Sequence, residues 1–129
     1  MASIFTKIIN GEIPSHKVAE NEKFCAFLDL SPLQKGHTLV VPKNETDYIF
    51  DLGDEELKEM IVFAKEVSKK IKKSFPCNRI GMTVIGLEVP HAHIHLIPIN
   101  AEKDMNFQSP KLKLEEDEFK AIADKLRNA

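Results

Sequence analysis

One long amphipathic segment limits how this chain can fold more than any other feature. Its apolar residues recur every three or four positions, the period of an α-helix with one buried face: Leu57, Met60, Ile61, Ala64, Val67 and Ile71. Acidic residues fill its first turn and lysines its last turns, as the helix dipole favours. We therefore predict a helix over Asp54–Ser74, closed by Pro76, whose apolar face other parts of the chain must cover.

The other periodic segments are short and are separated by turn residues. Strands are predicted at Val18–Glu20, Phe24–Asp29, His37–Val41, Arg79–Leu87 and His91–Ile99, and further helices at residues 3–9 and Glu115–Arg127. Strands joined by short turns favour an antiparallel sheet. Helices segregated from the strands favour the α+β class.

The size and charge of the chain predict its broad class. Its 129 residues, 43% hydrophobic and 29% charged, contain no repeat or linker and predict one globular domain over residues 1–129. The net charge of −2 argues against nucleic acid or a membrane surface as partner. We expect no signal peptide, no membrane helix and a cytoplasmic location. Cys25 and Cys77 are expected to be free thiols.

Three of the five histidines alternate with apolar residues: His91, His93 and His95. Successive side chains of a strand point to opposite faces, so the three are predicted to share one face and the apolar residues between them to face the core. A lone histidine on a strand is usually a polar surface residue. Three neighbouring imidazoles, however, would repel one another if all were charged, so this cluster indicates a functional site.

Spacing alone leaves two chemistries open for this cluster. Imidazoles two residues apart on a strand suit zinc, with His95, His37 or Glu88 as a third or fourth ligand and a free position for water. Alternatively, one imidazole attacks phosphorus while its neighbours orient it, stabilise the phosphoryl oxygens and protonate the leaving group.

Several segments resemble the Hint-like branch of the histidine triad (HIT) family. Residues 91–98, HAHIHLIP, resemble its signature of three histidines alternating with apolar residues. Residues 3–14, SIFTKIINGEIP, resemble the N-terminal segment of that branch, and residues 27–29 and 36–42 follow in the same order. The resemblance covers roughly residues 3–99, and a helical tail of about residues 114–129 lies beyond it.

The resemblance implies a HIT-like α+β fold: an antiparallel sheet of about five strands, one long helix and short terminal helices, in a homodimer. It implies hydrolysis or transfer at the α-phosphate of a purine nucleotide of the AMP or GMP type, with no metal or other cofactor. His93 is implied to be the nucleophile that forms a nucleotidyl intermediate. His95 is implied to contact the phosphate and leaving group, and His91 and His37 to complete the polar cluster.

The resemblance also implies a nucleoside pocket. Asp29 would bind both ribose hydroxyls, which suits a carboxylate because it has two acceptor oxygens and no donor. Asp29 equally suits a turn before Ser31-Pro32. An apolar slot for the base is implied, although core packing would explain any one of its residues alone: Ile4, Phe5, Ile8, Phe27 and Leu39.

Two departures from the family pattern affect what is expected. Ahead of the triad, Glu88-Val89 stands where a hydroxyl residue commonly precedes valine. Glu88 would repel an inward phosphate, so it either turns outward or meets a cationic leaving group such as an amine. Ser3 and Thr6 stand where some relatives have cysteines that help to hold a structural zinc, and Asn44 and Glu45 stand where a histidine is often seen, so no structural zinc is predicted.

The leading functional hypothesis is therefore hydrolysis of purine nucleoside 5′-phosphoramidates. The alternatives are a dinucleoside polyphosphate hydrolase, a non-catalytic nucleotide-binding protein and a metalloenzyme.

Overall fold

Five strands form one antiparallel sheet in the computed structural model, which describes residues 2–129. The strands are β1 (Lys17–Glu20), β2 (Phe24–Leu28), β3 (Thr38–Pro42), β4 (Arg79–Thr83) and β5 (Ile94–Ile99). The helices are α1 (Ile4–Ile9), α2 (Asp54–Ser74) and α3 (Glu116–Arg127), with short 3-10 turns at Ile49–Asp51 and Glu102–Met105. The sheet order β1-β2-β3-β5-β4 and the separate helices confirm the predicted α+β class.

One face of the sheet carries the main core. The apolar stripe of α2 and the buried residues of α3 pack against alternate residues of the strands, including Ile94 and Leu96 of β5. The sheet is therefore the part of the chain that covers most of the apolar face of the long helix. Among the described residues, no helix is long and apolar enough to cross a membrane.

The opposite face of the sheet carries a second, smaller apolar cluster under α1. Its buried members are Phe5, Ile8, Cys25, Phe27, Leu39 and Val41. An isolated helix of six residues is not stable in water, so α1 owes its helical form to this packing and to the contacts at its N-terminus. The candidate site residues lie around this cluster.

Two predicted strands are shorter than expected. β4 ends at Thr83 rather than Leu87, and β5 begins at Ile94 rather than His91. Between them the chain turns at Gly86, whose φ is +75°. The His91 N–H bonds to the Val89 carbonyl at 2.8 Å, a tight local turn after Pro90 rather than a strand ladder. The prediction that His91 and His93 lie on a strand is therefore wrong.

A glycine directs the chain into β3. Gly36 has a φ of +95°, a conformation that L side chains rarely adopt. A Cβ added there would also lie 3.0 Å from ring atoms of Phe75. Glycine is therefore required at the turn that delivers His37 to the edge of the site.

Candidate active site

The strand register places His95 beside the smaller apolar cluster. Phe27 of β2 lies opposite Leu39 of β3, and Leu39 lies opposite His95 of β5. Residues directly opposite one another in a sheet share a face. His95 is therefore on the face covered by α1, as the alternation of β5 predicted.

Four of the predicted site residues form one buried histidine cluster: His37, His91, His93 and His95. The ring centroids of His93 and His95 are 4.9 Å apart, and those of His37 and His95 are 5.2 Å apart. The structure thus brings together the histidines that the sequence singled out. Only His95 reaches the cluster by strand alternation, because His91 and His93 lie in the connection before β5.

A backbone amide fixes the protonation of His37 and, through it, of His95. The Leu33 N–H donates to His37 Nδ1 at 3.0 Å, so the neutral His37 ring must carry its proton on Nε2. That Nε2 is 3.0 Å from His95 Nδ1, which therefore accepts. These hydrogen-bond partners assign the single N–H proton of the neutral His95 ring to Nε2. His95 consequently keeps a free N–H donor.

The tautomers of His91 and His93 follow from the same reasoning. His91 Nε2 is 2.7 Å from the Pro42 carbonyl oxygen, which can only accept a hydrogen bond, so His91 Nε2 carries the proton. His91 Nδ1 is therefore an acceptor in the neutral ring. His93 Nδ1 is 2.8 Å from the His91 carbonyl and must likewise donate. In its neutral form His93 therefore has an unprotonated Nε2 with a lone pair.

Burial keeps the inner histidines neutral at pH 7. It lowers the pKa of His37 to about 3, and the nearby His95 and Lys111 add to this shift. Burial also lowers the pKa of His95 to about 4, with His93 as a second cause. The pKa of His91 is lowered for the same main reason. These three residues are thus neutral donors and acceptors rather than a patch of positive charge.

Asp29 lies at the rim of the histidine cluster. One carboxylate oxygen, Oδ2, is 3.5 Å from His37 Nε2, and the other, Oδ1, accepts from the Ser31 N–H at 2.8 Å. Desolvation raises the pKa of Asp29, while the Ser31 hydrogen bond opposes the rise. Asp29 therefore makes the turn contact that its position suggested and also faces the cluster.

Most of the residues assigned to the base slot lie together. Phe5, Ile8, Phe27 and Leu39 are buried in one cluster, and Val89 packs against it. The Phe5 ring meets the His93 ring edge-on at 5.0 Å, so the apolar cluster directly adjoins the histidines.

Two assigned residues lie outside this cluster. Ile4 is 49% exposed, because the buried face of α1 is centred on Phe5 and Ile8. Its exposed side chain leaves the assignment of Ile4 to the apolar slot as a prediction. Glu88 is exposed, and its charge raises the pKa of Asp29, which places it near the same rim.

Two sets of donor atoms lie close enough together to be considered as metal sites. Within residues 2–129, Asp29, His37 and His95 form one group whose possible ligand atoms lie within 4.8 Å of one another. His37 does not suit this role, because the Leu33 N–H occupies Nδ1 and keeps the proton on Nε2, the atom that would have to bind the ion. The Ser3, Thr6 and Glu45 oxygens near His91 bond to one another and to His91, and they include no thiolate, so this donor set does not suit a structural zinc either.

Sequence reasoning missed two residues at the site. The Phe107 ring is 4.8 Å from the His95 ring and 6.1 Å from the His37 ring. Lys111 Nζ donates to the Phe107 carbonyl at 2.5 Å, and its charge lowers the pKa of both His37 and Asp29. Both residues lie in an irregular segment without hydrophobic periodicity, so no sequence signal pointed to them.

A buried histidine cluster beside an apolar cluster, on one face of an antiparallel sheet, defines an α+β protein with an imidazole-based site. Comparison with known proteins identifies the family. The HIT domain family model matches residues 10–102. The chain belongs to the HIT family, which confirms the resemblance seen in the sequence.

Individual relatives cover nearly the whole chain. The adenosine 5′-monophosphoramidase hnt1 of Schizosaccharomyces pombe is 33% identical over 128 residues, covering 98% of this chain and 96% of that protein. An uncharacterized HIT-like protein of Borreliella burgdorferi is 35% identical, covering 93% and 92%. The crystal structure of a Hit-like protein from Bartonella henselae has a TM-score of 0.82 at 30% identity and covers 98% of this chain and 95% of that chain.

Proposed function

We propose that this protein hydrolyses purine nucleoside 5′-phosphoramidates at the α-phosphate, with His93 as a metal-independent nucleophile. The observation that carries the proposal is the hydrogen bond from His93 Nδ1 to the His91 carbonyl, at 2.8 Å. Because Nδ1 carries the proton in this bond, the neutral His93 ring has its reactive lone pair on Nε2. The S. pombe relative, whose name is adenosine 5′-monophosphoramidase, supports the same reaction class.

His93 would attack phosphorus through Nε2, and the bond from phosphorus to the amine nitrogen would break. The product of this step is a covalent nucleotidyl-histidine. Water then displaces His93 from phosphorus. Over the whole reaction, phosphorus gains a hydroxyl and the amine gains a hydrogen, so the elements of one water molecule are consumed.

His95 has the chemistry to stabilise this attack. Its Nε2–H is held as a donor by the relay from the Leu33 amide through His37. A preorganised donor in a site with little water stabilises the charge that builds up on the phosphoryl oxygens and at the leaving group. Because the ring is neutral, it donates a hydrogen bond without bringing a second full charge beside His93.

The nucleoside would bind across the remaining residues. Asp29 has the acceptor oxygens that two ribose hydroxyls need and lies next to His37. The cluster of Phe5, Ile8, Phe27 and Leu39, with Val89, offers apolar surface to the face of a purine. Glu88 at the rim suits a leaving group that carries a positive charge.

The test uses adenosine 5′-phosphoramidate as substrate and measures AMP by chromatography. Wild-type protein should release AMP, and His93→Ala should reduce the rate by at least about a thousandfold, as loss of a nucleophile does in other enzymes. His16→Ala is the matched control, because His16 stacks on Phe119 of α3, away from the site. Rapid quenching of the wild type should trap a protein carrying one nucleotidyl group on His93.

The alternatives give different results in the same assay. Faster turnover of a diadenosine polyphosphate than of the phosphoramidate would favour the dinucleoside polyphosphate hydrolase. Binding of AMP without turnover of either compound would favour a non-catalytic nucleotide-binding protein. An unchanged rate in His93→Ala would refute the proposed mechanism.

We further propose that the protein forms a homodimer through β4, because β4 is an edge strand of the sheet. Its neighbourhood exposes apolar side chains, of which Met82 is 54% and Leu87 is 88% exposed. Such edges are ready to pair with a second strand. Light scattering coupled to size-exclusion chromatography should give twice the chain mass, and Met82→Lys should shift it toward the monomer.

A further inference from the structure

One carboxylate holds the N-terminal end of α1 from outside the helix. Glu45 Oε1 accepts from the Ser3 N–H and from the Thr6 hydroxyl, both at 2.6 Å. Ser3 is the N-cap of α1, and its Oγ accepts from the Thr6 N–H at 3.1 Å. These donors lower the pKa of Glu45 to about 2, so the carboxylate stays charged at neutral pH. Glu45 comes from the loop that follows β3, so the contact ties α1 to the sheet.

The same N-cap residue also contacts the histidine cluster. Ser3 Oγ lies 2.7 Å from His91 Nδ1, which is an acceptor because His91 Nε2 donates to the Pro42 carbonyl. The Ser3 hydroxyl therefore donates its single proton to His91. The His91 carbonyl in turn accepts from His93 Nδ1. A continuous chain of hydrogen bonds thus runs from Glu45 through Ser3 and His91 to His93.

Helix α1 also forms part of the apolar pocket. Phe5 lies directly after the capped end and meets His93 and Phe27 edge-on, at 5.0 Å and 5.4 Å between ring centroids. A helix this short cannot hold its own conformation. The position of the Phe5 ring therefore depends on what fixes the start of α1.

We propose that Glu45 is a positioning residue of the active site. It fixes α1 so that Phe5 forms the wall of the base pocket, and through Ser3 it holds the ring of His91, the residue whose backbone carbonyl orients His93. The inference rests on the proposed function for its effect on turnover. Its effects on nucleotide binding and on the hydrogen bond at His91 Nδ1 do not depend on any turnover.

The decisive comparison is among three variants. Glu45→Ala removes the acceptor, Glu45→Gln keeps an acceptor oxygen and removes the charge, and Thr6→Val removes one donor and leaves Glu45 in place. Glu66→Ala is the control, since Glu66 is exposed on α2. AMP affinity is measured by calorimetry, KM and kcat with adenosine 5′-phosphoramidate, and the hydrogen bond at His91 Nδ1 by nitrogen-15 NMR of the imidazoles.

Glu45→Ala should weaken AMP binding and raise KM by about fivefold, the factor expected when one helix cap is lost. The Pro42 carbonyl should keep the His91 proton on Nε2 in both proteins, but the Nδ1 resonance should show a hydrogen-bonded acceptor in the wild type and shift toward that of a free acceptor in Glu45→Ala. Glu45→Gln should stay within about twofold of wild type. The AMP affinity and KM of Thr6→Val should lie between those of Glu45→Ala and Glu45→Gln. This variant keeps the test available if Glu45→Ala does not fold.

The results separate this inference from the proposed function. If the wild type shows no turnover but Glu45→Ala still changes AMP affinity and the His91 spectrum, the proposed reaction fails and the positioning role stands. If Glu45→Ala matches Glu66→Ala in affinity, KM and spectrum, the positioning role is overturned whatever the reaction.

Discussion

Acid should destabilise this protein through the buried histidines, and His95 allows the effect to be measured. His95 is 8% exposed, and its pKa falls from 6.5 to about 4 on folding because burial disfavours the imidazolium. Between these two values the unfolded chain binds a proton at this position and the folded protein does not. The free energy of unfolding therefore decreases as the pH falls through this window.

The magnitude follows from the size of the window. At pH 5 the native ring is still mostly neutral, whereas the unfolded ring is protonated. Each pH unit below 6.5 then costs 1.36 kcal/mol, so lowering the pH from 7 to 5 should cost about 2 kcal/mol for His95 alone. His37, whose pKa falls to about 3 on folding, should contribute a similar loss. One kcal/mol is a measurable part of the stability of a small domain.

Urea unfolding at pH 7 and pH 5 tests this reasoning. In His95→Asn the loss of stability between the two pH values should be smaller than in the wild type by about 2 kcal/mol. His95→Gln should give the same difference, because it also lacks a titrating group. A variant that loses as much stability as the wild type over this pH range would show that His95 does not have the low pKa assigned to it.

Three further predictions concern residues outside the proposed chemistry. Phe107→Ala should expose the His95 ring and raise its pKa from about 4 toward 6.5, which an NMR titration of the ring protons would detect. Cys25 should resist alkylation by iodoacetamide in the folded protein while Cys77 reacts, because burial raises the pKa of Cys25 to about 11 and Cys77 is partly exposed; equal labelling would contradict this. Gly36→Ala should lower the stability by at least about 1–2 kcal/mol, since its backbone is left-handed, and an unchanged urea midpoint would refute the strain.

The long helix could be predicted from the sequence to its end residues. Asp54–Ser74 has a sustained apolar period, charges that suit both ends and a proline just beyond it, and each of these is a local signal. The strand prediction for residues 91–93 was wrong for one local reason and one tertiary reason. Alternation of histidine and apolar residues has the period of a strand, but Pro90 and the Ala92 N–H bond to the Thr46 carbonyl hold this stretch outside the ladder.

The candidate site was predictable where a motif marked it and hidden where only tertiary contacts make it. The four histidines and the apolar residues of the pocket stood out by pattern and resemblance. Phe107 and Lys111 reach the site only because a distant segment folds against it, and neither the type nor the spacing of these residues marks them. The relay from the Leu33 amide is likewise a backbone contact, which any residue type other than proline could make.

The two faces of the sheet divide the protein's tasks between separate sets of side chains. Ile94 and Leu96 face α2 and the main core, while His95 between them faces the candidate site. Substitutions around the smaller cluster can therefore alter which molecules are accepted while the larger core continues to support folding. Such a layout lets a lineage explore new substrates on one side of the sheet without first acquiring extra stability on the other.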